Sequence, residues 1–266
     1  MALQKELVYS RIFNRDYEGE VTPGASVKIV SQGSHVTIGD YTRESDIAWQ
    51  FVSDDSQTLA IDQEKYFAIS VDDLDALQSK PNSLAAYAVD AAYQLSDTID
   101  QFLVSKLAGA SGAITADLGD NTTPLEINSA NIGSTLRLIA RRLDDAKVPR
   151  QRRVVVLPPW AVEDLVTANI ADASNNAEEL TNGFVARYAG FNILMSNNVP
   201  NTAGDKHKIV AGSDIAATFA IQMNKTEQMR LESKFADGIR GLAAYGAKVT
   251  RPGALAVATW NEAAEA

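Results

Sequence analysis

The chain contains no cysteine. Disulfides, thiolate catalysis and cysteine-ligated zinc are therefore excluded. Histidine is almost as scarce, with only His35 and His207, so a His-Glu-x-x-His metal site cannot be written. No Gly-Lys dipeptide occurs, hence no phosphate-cradling P-loop. Gly-x-Gly-x-x-Gly and Gly-x-Ser-x-Gly are missing too, and no Ser is followed three residues later by Lys. No apolar run reaches the roughly 18 residues of a membrane span. The start, Met1-Ala-Leu-Gln-Lys-Glu6, lacks the apolar core of a signal peptide. A soluble protein made in the cytosol is expected. Bases are in deficit, 24 against 34 acids, for a net charge of −10. Such a surface grips nucleic acid poorly as a whole and meets it only at local basic patches. These absences remove the recognisable catalytic machines and imply no cofactor. A carboxylate-based hydrolase remains writable among 34 acids.

What is present points to assembly. The 266 residues are 45% hydrophobic, enough for one large domain or two intimate ones. From Val36 to Val71 apolar residues alternate with polar ones: Val36 and Ile38, then Ile47, Trp49 and Phe51, Leu59 and Ile61, and Phe67, Ile69 and Val71. This pattern predicts a long antiparallel hairpin with its tip at Ser53-Asp-Asp-Ser56. An isolated two-stranded hairpin is marginal in water, so Trp49 and Phe51 need a covering surface, and a neighbouring copy supplies one.

The preceding residues 1–26 read as an arm, with Asn14-Arg-Asp-Tyr-Glu-Gly-Glu20 charged and Pro23-Gly24 turning the chain. After Asp72-Asp-Leu-Asp75, Pro81 suits a helix start. Leu84, Ala88, Ala91, Leu95, Ile99, Phe102 and Leu107 then predict a helix over 81–107, closed by Gly109 and Gly112. It would span about 40 Å, against a usual helix of about 11–12 residues. Residues 109–124 read as a loop. Leu136, Ile139, Ala140 and Leu143 predict a helix over 129–146, stopped at Val148-Pro149. Arg153–Leu157 is an apolar strand, Trp160–Asn169 a helix, Ala177–Ala189 a weaker helix broken by Gly183, and Phe191–Met195 and Ile209-Val210 further strands. The tail alternates again at Met229–Ser233, Ala247–Val249 and Ala254–Trp260. A long helix and final strands thus bracket a mixed block at roughly 125–222.

Asp72, Asp73 and Asp75 could hold a hard cation, but their spacing is not that of an EF-hand, and a solvated helix cap is the plainer reading. His35 and His207 read as surface residues rather than a metal pair. The bases Arg137, Arg141, Arg142, Lys147, Arg150, Arg152 and Arg153 could touch phosphate. The plainer reading is pairing along the helix, Arg141 with Asp145, plus charge contacts across a subunit interface.

The order of parts resembles the major capsid protein of tailed bacteriophages, the Hong Kong 97-type fold, in the branch allied to coat proteins of short-tailed phages. The similar stretches are Asn14-Arg-Asp-Tyr-Glu-Gly19 with Gly24, Ile61-Asp-Gln-Glu-Lys-Tyr-Phe67 with Val71-Asp-Asp73, Gly190-Phe-Asn-Ile193 with Ser196-Asn197 and Val199-Pro200, and Tyr245-Gly-Ala-Lys-Val-Thr-Arg-Pro252. The resemblance implies an α+β fold. Residues 1–40 would be an N-terminal arm and 41–65 the extended loop. Residues 66–124 would be a peripheral domain with its spine helix, 125–222 an axial domain, and 223–266 peripheral strands. It implies a non-catalytic coat protein that self-assembles into hexamers and pentamers of an icosahedral head around double-stranded DNA. Scaffolding, portal and possible decoration proteins would be its partners, and the virion its location. Intersubunit contacts are expected at Arg15, Asp16, Tyr17, Arg43, Trp49, Phe51, Arg141, Arg142 and Arg152. An encapsulin-type shell around protein cargo is the alternative of the same fold. Some relatives weld the shell through a lysine in the extended loop; no lysine lies between Lys28 and Lys65, so docking there is expected to be non-covalent. Starting directly at the arm, with Met1, suggests that scaffolding is a separate protein.

Overall fold

A computed structural model describes residues 7–16, 26–32, 38–40, 43, 46, 49–51, 54–72, 83–168, 184–202, 204–232 and 235–263. In chain order, the elements begin with a 3-10 turn at Tyr9–Ile12 and strands β1 (Phe13–Asn14), β2 (Ser26–Gln32), β3 (Asp54–Ala60) and β4 (Gln63–Asp72). Helix α1 (Ser83–Ala108), strand β5 (Leu125–Ile127), helix α2 (Ile132–Asp145), strand β6 (Arg153–Leu157) and helix α3 (Pro159–Thr167) follow. The remaining strands are β7 (Phe184–Tyr188), β8 (Phe191–Met195), β9 (His207–Ser213), β10 (Ala217–Arg230), β11 (Ala236–Val249) and β12 (Leu255–Glu262).

These strands form a four-stranded sheet, β1-β10-β11-β4, a six-stranded sheet, β5-β12-β9-β6-β8-β7, and a separate β2-β3 ribbon. The long helix arises where the apolar spacing places it. Its 26 residues run about 39 Å at 1.5 Å per residue. Ile99, Leu103, Val104 and Leu107 are buried in the main core, whereas Tyr87 toward the start is 54% exposed. Phe102 meets Tyr245 of β11 edge-on at 5.2 Å. The Gly109 amide donates to the Ser105 carbonyl at 3.1 Å and closes the helix. Asp100, fully buried, accepts from the Tyr9 amide at 3.0 Å and from Asn198 Nδ2 at 3.3 Å. One carboxylate therefore pins the start of the chain and the loop after β8 to the same helix.

Helix α2 ends at Lys147, which takes the left-handed conformation at φ +57°. The Lys147 amide reaches the Asp144 carbonyl at 2.9 Å, and the Val148 amide reaches Leu143 at 3.0 Å. This is a Schellman-type closure that satisfies carbonyls the helix leaves open. At Ala189 (φ +50°) and Gly190 (φ +84°) two consecutive positive φ values join β7 to β8, as a two-residue hairpin turn requires.

Three expectations are corrected. Asp54, Asp55 and Ser56 are not a hairpin tip. They pair in register with Gln32, Ser31 and Val30 of β2, while β4 leaves to pair with β11. Described residues between Ile38 and Phe51 carry no strand. Composition misled here because an exposed ladder needs backbone partners, not apolar side chains, and the partner strand lay earlier in the chain. The helix expected over 177–189 fails at its second half, where Phe184–Tyr188 is a strand; its first part, to Gly183, lies outside the described residues. Pairing with β8 on the open side of the sheet overrode local helix propensity. Finally, β12 does not join the tail strands β10 and β11. It lies between β5 and β9, so the end of the chain completes the sheet of the 125–222 block. Leu255 to Trp260 pair antiparallel with β9, and the Trp260 ring is fully buried in the main core.

Candidate intersubunit surfaces

The β2-β3 ribbon stands on the four-stranded sheet through a small cluster of Ile29, Leu59 and Ala220, with Ile61 packed against it. Gln57 Nε2 donates to the Thr250 carbonyl at 3.3 Å, and Lys248 Nζ to the Thr58 carbonyl at 3.0 Å. Where the chain passes from β3 to β4 it crosses β11 at Gly246. A side chain there would fall inside the van der Waals envelope of the Ala60 carbonyl group and the Ile61 Cα. Only glycine admits this close crossing of two backbones.

Beyond the ribbon, Trp49 is 87% and Phe51 96% exposed. Ile38 is exposed as well. Neither aromatic is a core residue of the single chain. Three exposed apolar groups thus fall in one loop, which makes it a candidate interaction surface. Arg43 is exposed in the same loop, and Arg15 and Asp16 are exposed after β1. The Asp16 amide and carboxylate are held by the side chain of Asn14 at 2.8 Å each. Tyr17 lies outside the described residues, as do His35, Asp73 and Asp75. Asp72 is the last residue of β4, paired with Ala236, not a helix cap. Sequence reasoning passed over three further exposed aromatics, Tyr66, Tyr87 and Phe235. The alternation in β4 pointed at Phe67, and the exposure of Tyr66 depends on which face α1 covers.

The basic cluster resolves into separate roles. Arg141 lies 3.9 Å from Asp145, the expected i,i+4 pair. Arg142 pairs with Asp117 and lies 3.9 Å from Asp145, tying the 109–124 loop to α2. Arg152 Nη1 meets Asp214 Oδ2 at 3.0 Å. Arg153 is the interior member, 1% exposed. It donates to the carbonyls of Pro149 (3.0 Å), Ala140 (3.4 Å) and Val148 (2.6 Å), and its Nη2 lies 2.7 Å from Asp144. Arg150 holds the same carboxylate through two nitrogens, at 2.7 and 3.3 Å. The cluster is therefore in good part a staple between α2 and β6.

Hydrogen bonds from Arg150 first, then from Arg153, keep the Asp144 carboxyl below its ordinary range. The unfolded chain then takes up the proton first as pH falls. The stabilisation is complete above the usual carboxylate value of about 4 and is lost as pH drops through the depressed one. Asp144→Asn is expected to flatten the acid limb of stability, measured as urea midpoints at pH 7, 4 and 2.5. Arg153→Met should cost about 1–3 kcal/mol, because it takes the buried donor away from three carbonyls, while Asp144 keeps Arg150. A midpoint unchanged from the natural chain would show that the staple contributes nothing.

His207, beside the Trp160 ring at 5.6 Å, is half-buried, and desolvation lowers its pKa. Among the described residues no group of three or more His, Asp or Glu could hold a metal, and no helix is long and apolar enough to cross a membrane.

The fold matches that of virus shells. A chain of Mycobacterium phage Che8 superposes with a TM-score of 0.75 at 28% identity, covering 97% of this chain and 93% of that one. The chain from the capsid of cyanophage P-SCSP1u gives 0.73 at 17% identity, over 98% and 90%. That of the mature capsid of bacteriophage PhiM1 gives 0.64 at 16%, over 88% and 82%. No curated protein matches the sequence. A family described as phage capsid protein matches residues 55–258, which span β3 to β12 and thus both large sheets. The chain belongs to the phage capsid protein family.

Proposed function

We infer that this major capsid protein forms the repeating wall of an icosahedral head, as hexamers and pentamers around double-stranded DNA. The observation that carries the assembly is the loop between β2 and β3, which presents Trp49 and Phe51 to solvent on a ribbon with almost no core of its own. A subunit made to stay single has no use for that surface. A subunit that must clasp a neighbour does. The ribbon and its loop act as the extended loop, residues 7–16 belong to the arm, the four-stranded sheet with α1 forms the peripheral part, and the six-stranded sheet with α2 and α3 forms the axial part. On this reading β12 belongs to the axial part.

The contact is non-covalent, since the loop has no lysine. The role is structural. Scaffolding and portal proteins are the expected partners during assembly, and the expected location is the virion. The net charge of −10 suits a wall that must release its genome, because a strongly basic lining would hold DNA through many phosphate contacts. Electron microscopy of the purified protein tests the reading. Closed shells are expected. Shells around protein cargo would favour a nanocompartment, and discrete small particles would refute the capsid role.

A further inference from the structure

Four arginines meet at one end of the six-stranded sheet. Arg150, Arg152 and Arg153 lead into β6, and Arg187 comes from β7. With the β7-β8 turn they line an open cavity of about 460 Å³, within the range of small-ligand sites, about 300–1,000 Å³. Among the described residues that line it, none is acidic. Arg153 directs its donors into the protein and gives the cavity charge alone. The other three keep donors. Arg150 turns Nε and Nη2 to Asp144, which leaves Nη1. Arg152 uses Nη1 on Asp214, which leaves Nε and Nη2. Arg187 uses Nε on Asn192 Oδ1 at 2.9 Å, which leaves both terminal nitrogens. A guanidinium accepts no hydrogen bond and does not shed its proton in a protein, so these groups call for an anion.

Four guanidinium charges face only the two carboxylates of Asp144 and Asp214. Two positive charges therefore remain at this place, on a chain of net charge −10. The number and spread of the donors select the kind of anion. A carboxylate has two oxygens in one plane, and a single arginine fork satisfies both, as Arg150 does on Asp144. Three further sets of donors around one cavity exceed what a carboxylate accepts. A phosphate group presents three strong acceptor oxygens in different directions, which several arginines can hold at once. Arg152 also sits at φ +55°, a left-handed conformation that a non-glycine residue adopts at some cost. Its side chain is 82% exposed, so burial does not offset that cost.

We propose that Arg150, Arg152 and Arg187 form a binding site for phosphate groups, carried either by a free oligophosphate or by a nucleic-acid backbone. The site stands on this geometry and does not depend on the capsid reading.

Inorganic pyrophosphate, titrated into the purified full chain at constant ionic strength, should raise the melting midpoint in a saturable way. Calorimetry then gives the affinity. Arg152→Gln with Arg187→Gln should weaken it by roughly tenfold or more, since both remove charge-assisted hydrogen bonds. Arg187→Lys keeps the charge without the fork and should fall between. Arg137→Gln, at an exposed base of α2 outside the cavity, should bind as the natural chain does. Melting without pyrophosphate checks folding. If the double variant does not fold, Arg187→Gln alone carries the test, because its bond to Asn192 is exposed. Pyrophosphate displaced by a short DNA duplex would support the site with nucleic acid as its source. Pyrophosphate undisturbed by the duplex would support it with a free oligophosphate. No saturable binding of either, or equal binding by the natural chain and a folded arginine-to-glutamine variant, overturns the proposal.

Discussion

Trp49→Ala combined with Phe51→Ala is expected to remove most shell formation and leave the subunit folded. In the single chain the two side chains are 87% and 96% exposed, so their truncation strands no partner and opens no cavity. The melting midpoint of the unassembled subunit should change by no more than a surface substitution does, within about 0.5 kcal/mol. On a neighbour, the two rings would contribute about 3–6 kcal/mol gross per subunit. The cost of immobilising the loop and the partner must be subtracted. Even the lower figure is worth roughly a hundredfold in the equilibrium of each contact, and a closed shell repeats that contact many times. Sedimentation and negative-stain microscopy read the assembled fraction. Shells at natural yield would show that the loop does not clasp a neighbour through these rings.

The second large effect is expected at Gly246. Its ideal Cβ would lie 3.0 Å from both the Ala60 carbonyl carbon and the Ile61 Cα, with the Ala60 oxygen nearer still. All three are backbone atoms, so no rotamer change relieves the overlap. Gly246→Val must lift the β3-β4 crossover off β11, which strains the Gln57 and Lys248 hydrogen bonds and opens the Ile29, Leu59 and Ala220 cluster. A loss of about 3 kcal/mol is expected, the upper range for overpacking, together with a ribbon that no longer projects at its natural angle. Urea unfolding measures the first. Shell yield measures the second, and it should fall further than the stability loss alone accounts for. By contrast, a Cβ at Gly253 meets nothing within 4 Å, and Gly253→Ala serves as the control.

Much of the architecture was legible in the chain itself. Leu84 to Phe102 repeat at three and four, so a long helix follows from local spacing, and Ser83–Ala108 is its extent. The run Arg153–Leu157 is a buried strand because five consecutive buried positions need an apolar run, with only Arg153 departing from it. The i,i+4 pair of Arg141 and Asp145 needed nothing beyond helical geometry. The missing motifs, the absence of cysteine and the scarcity of histidine point away from chemistry and toward assembly. The resemblance to phage shells rested on the order of such segments, and the family match agrees with it.

What local sequence could not carry was pairing between distant segments. Asp54-Asp-Ser56 has turn composition, yet it is a strand because Val30-Ser-Gln32 stands beside it. Arg187 joins Arg150 and Arg152 at one cavity because β7, β8 and β6 are adjacent in the sheet. Arg153 looks like one more surface base until its three carbonyl acceptors are seen. The final strand enters the six-stranded sheet because Leu255 to Trp260 pair there with β9. The sequence by itself determined the long helix and the buried strand Arg153–Leu157, that no familiar catalytic motif is present, and that an aromatic loop has too little of its own to cover it. Tertiary structure alone decided the partner of each strand and which charges share a surface. Periodicity records what each residue must bury, whereas the choice among distant partners depends on closing the whole chain around one core.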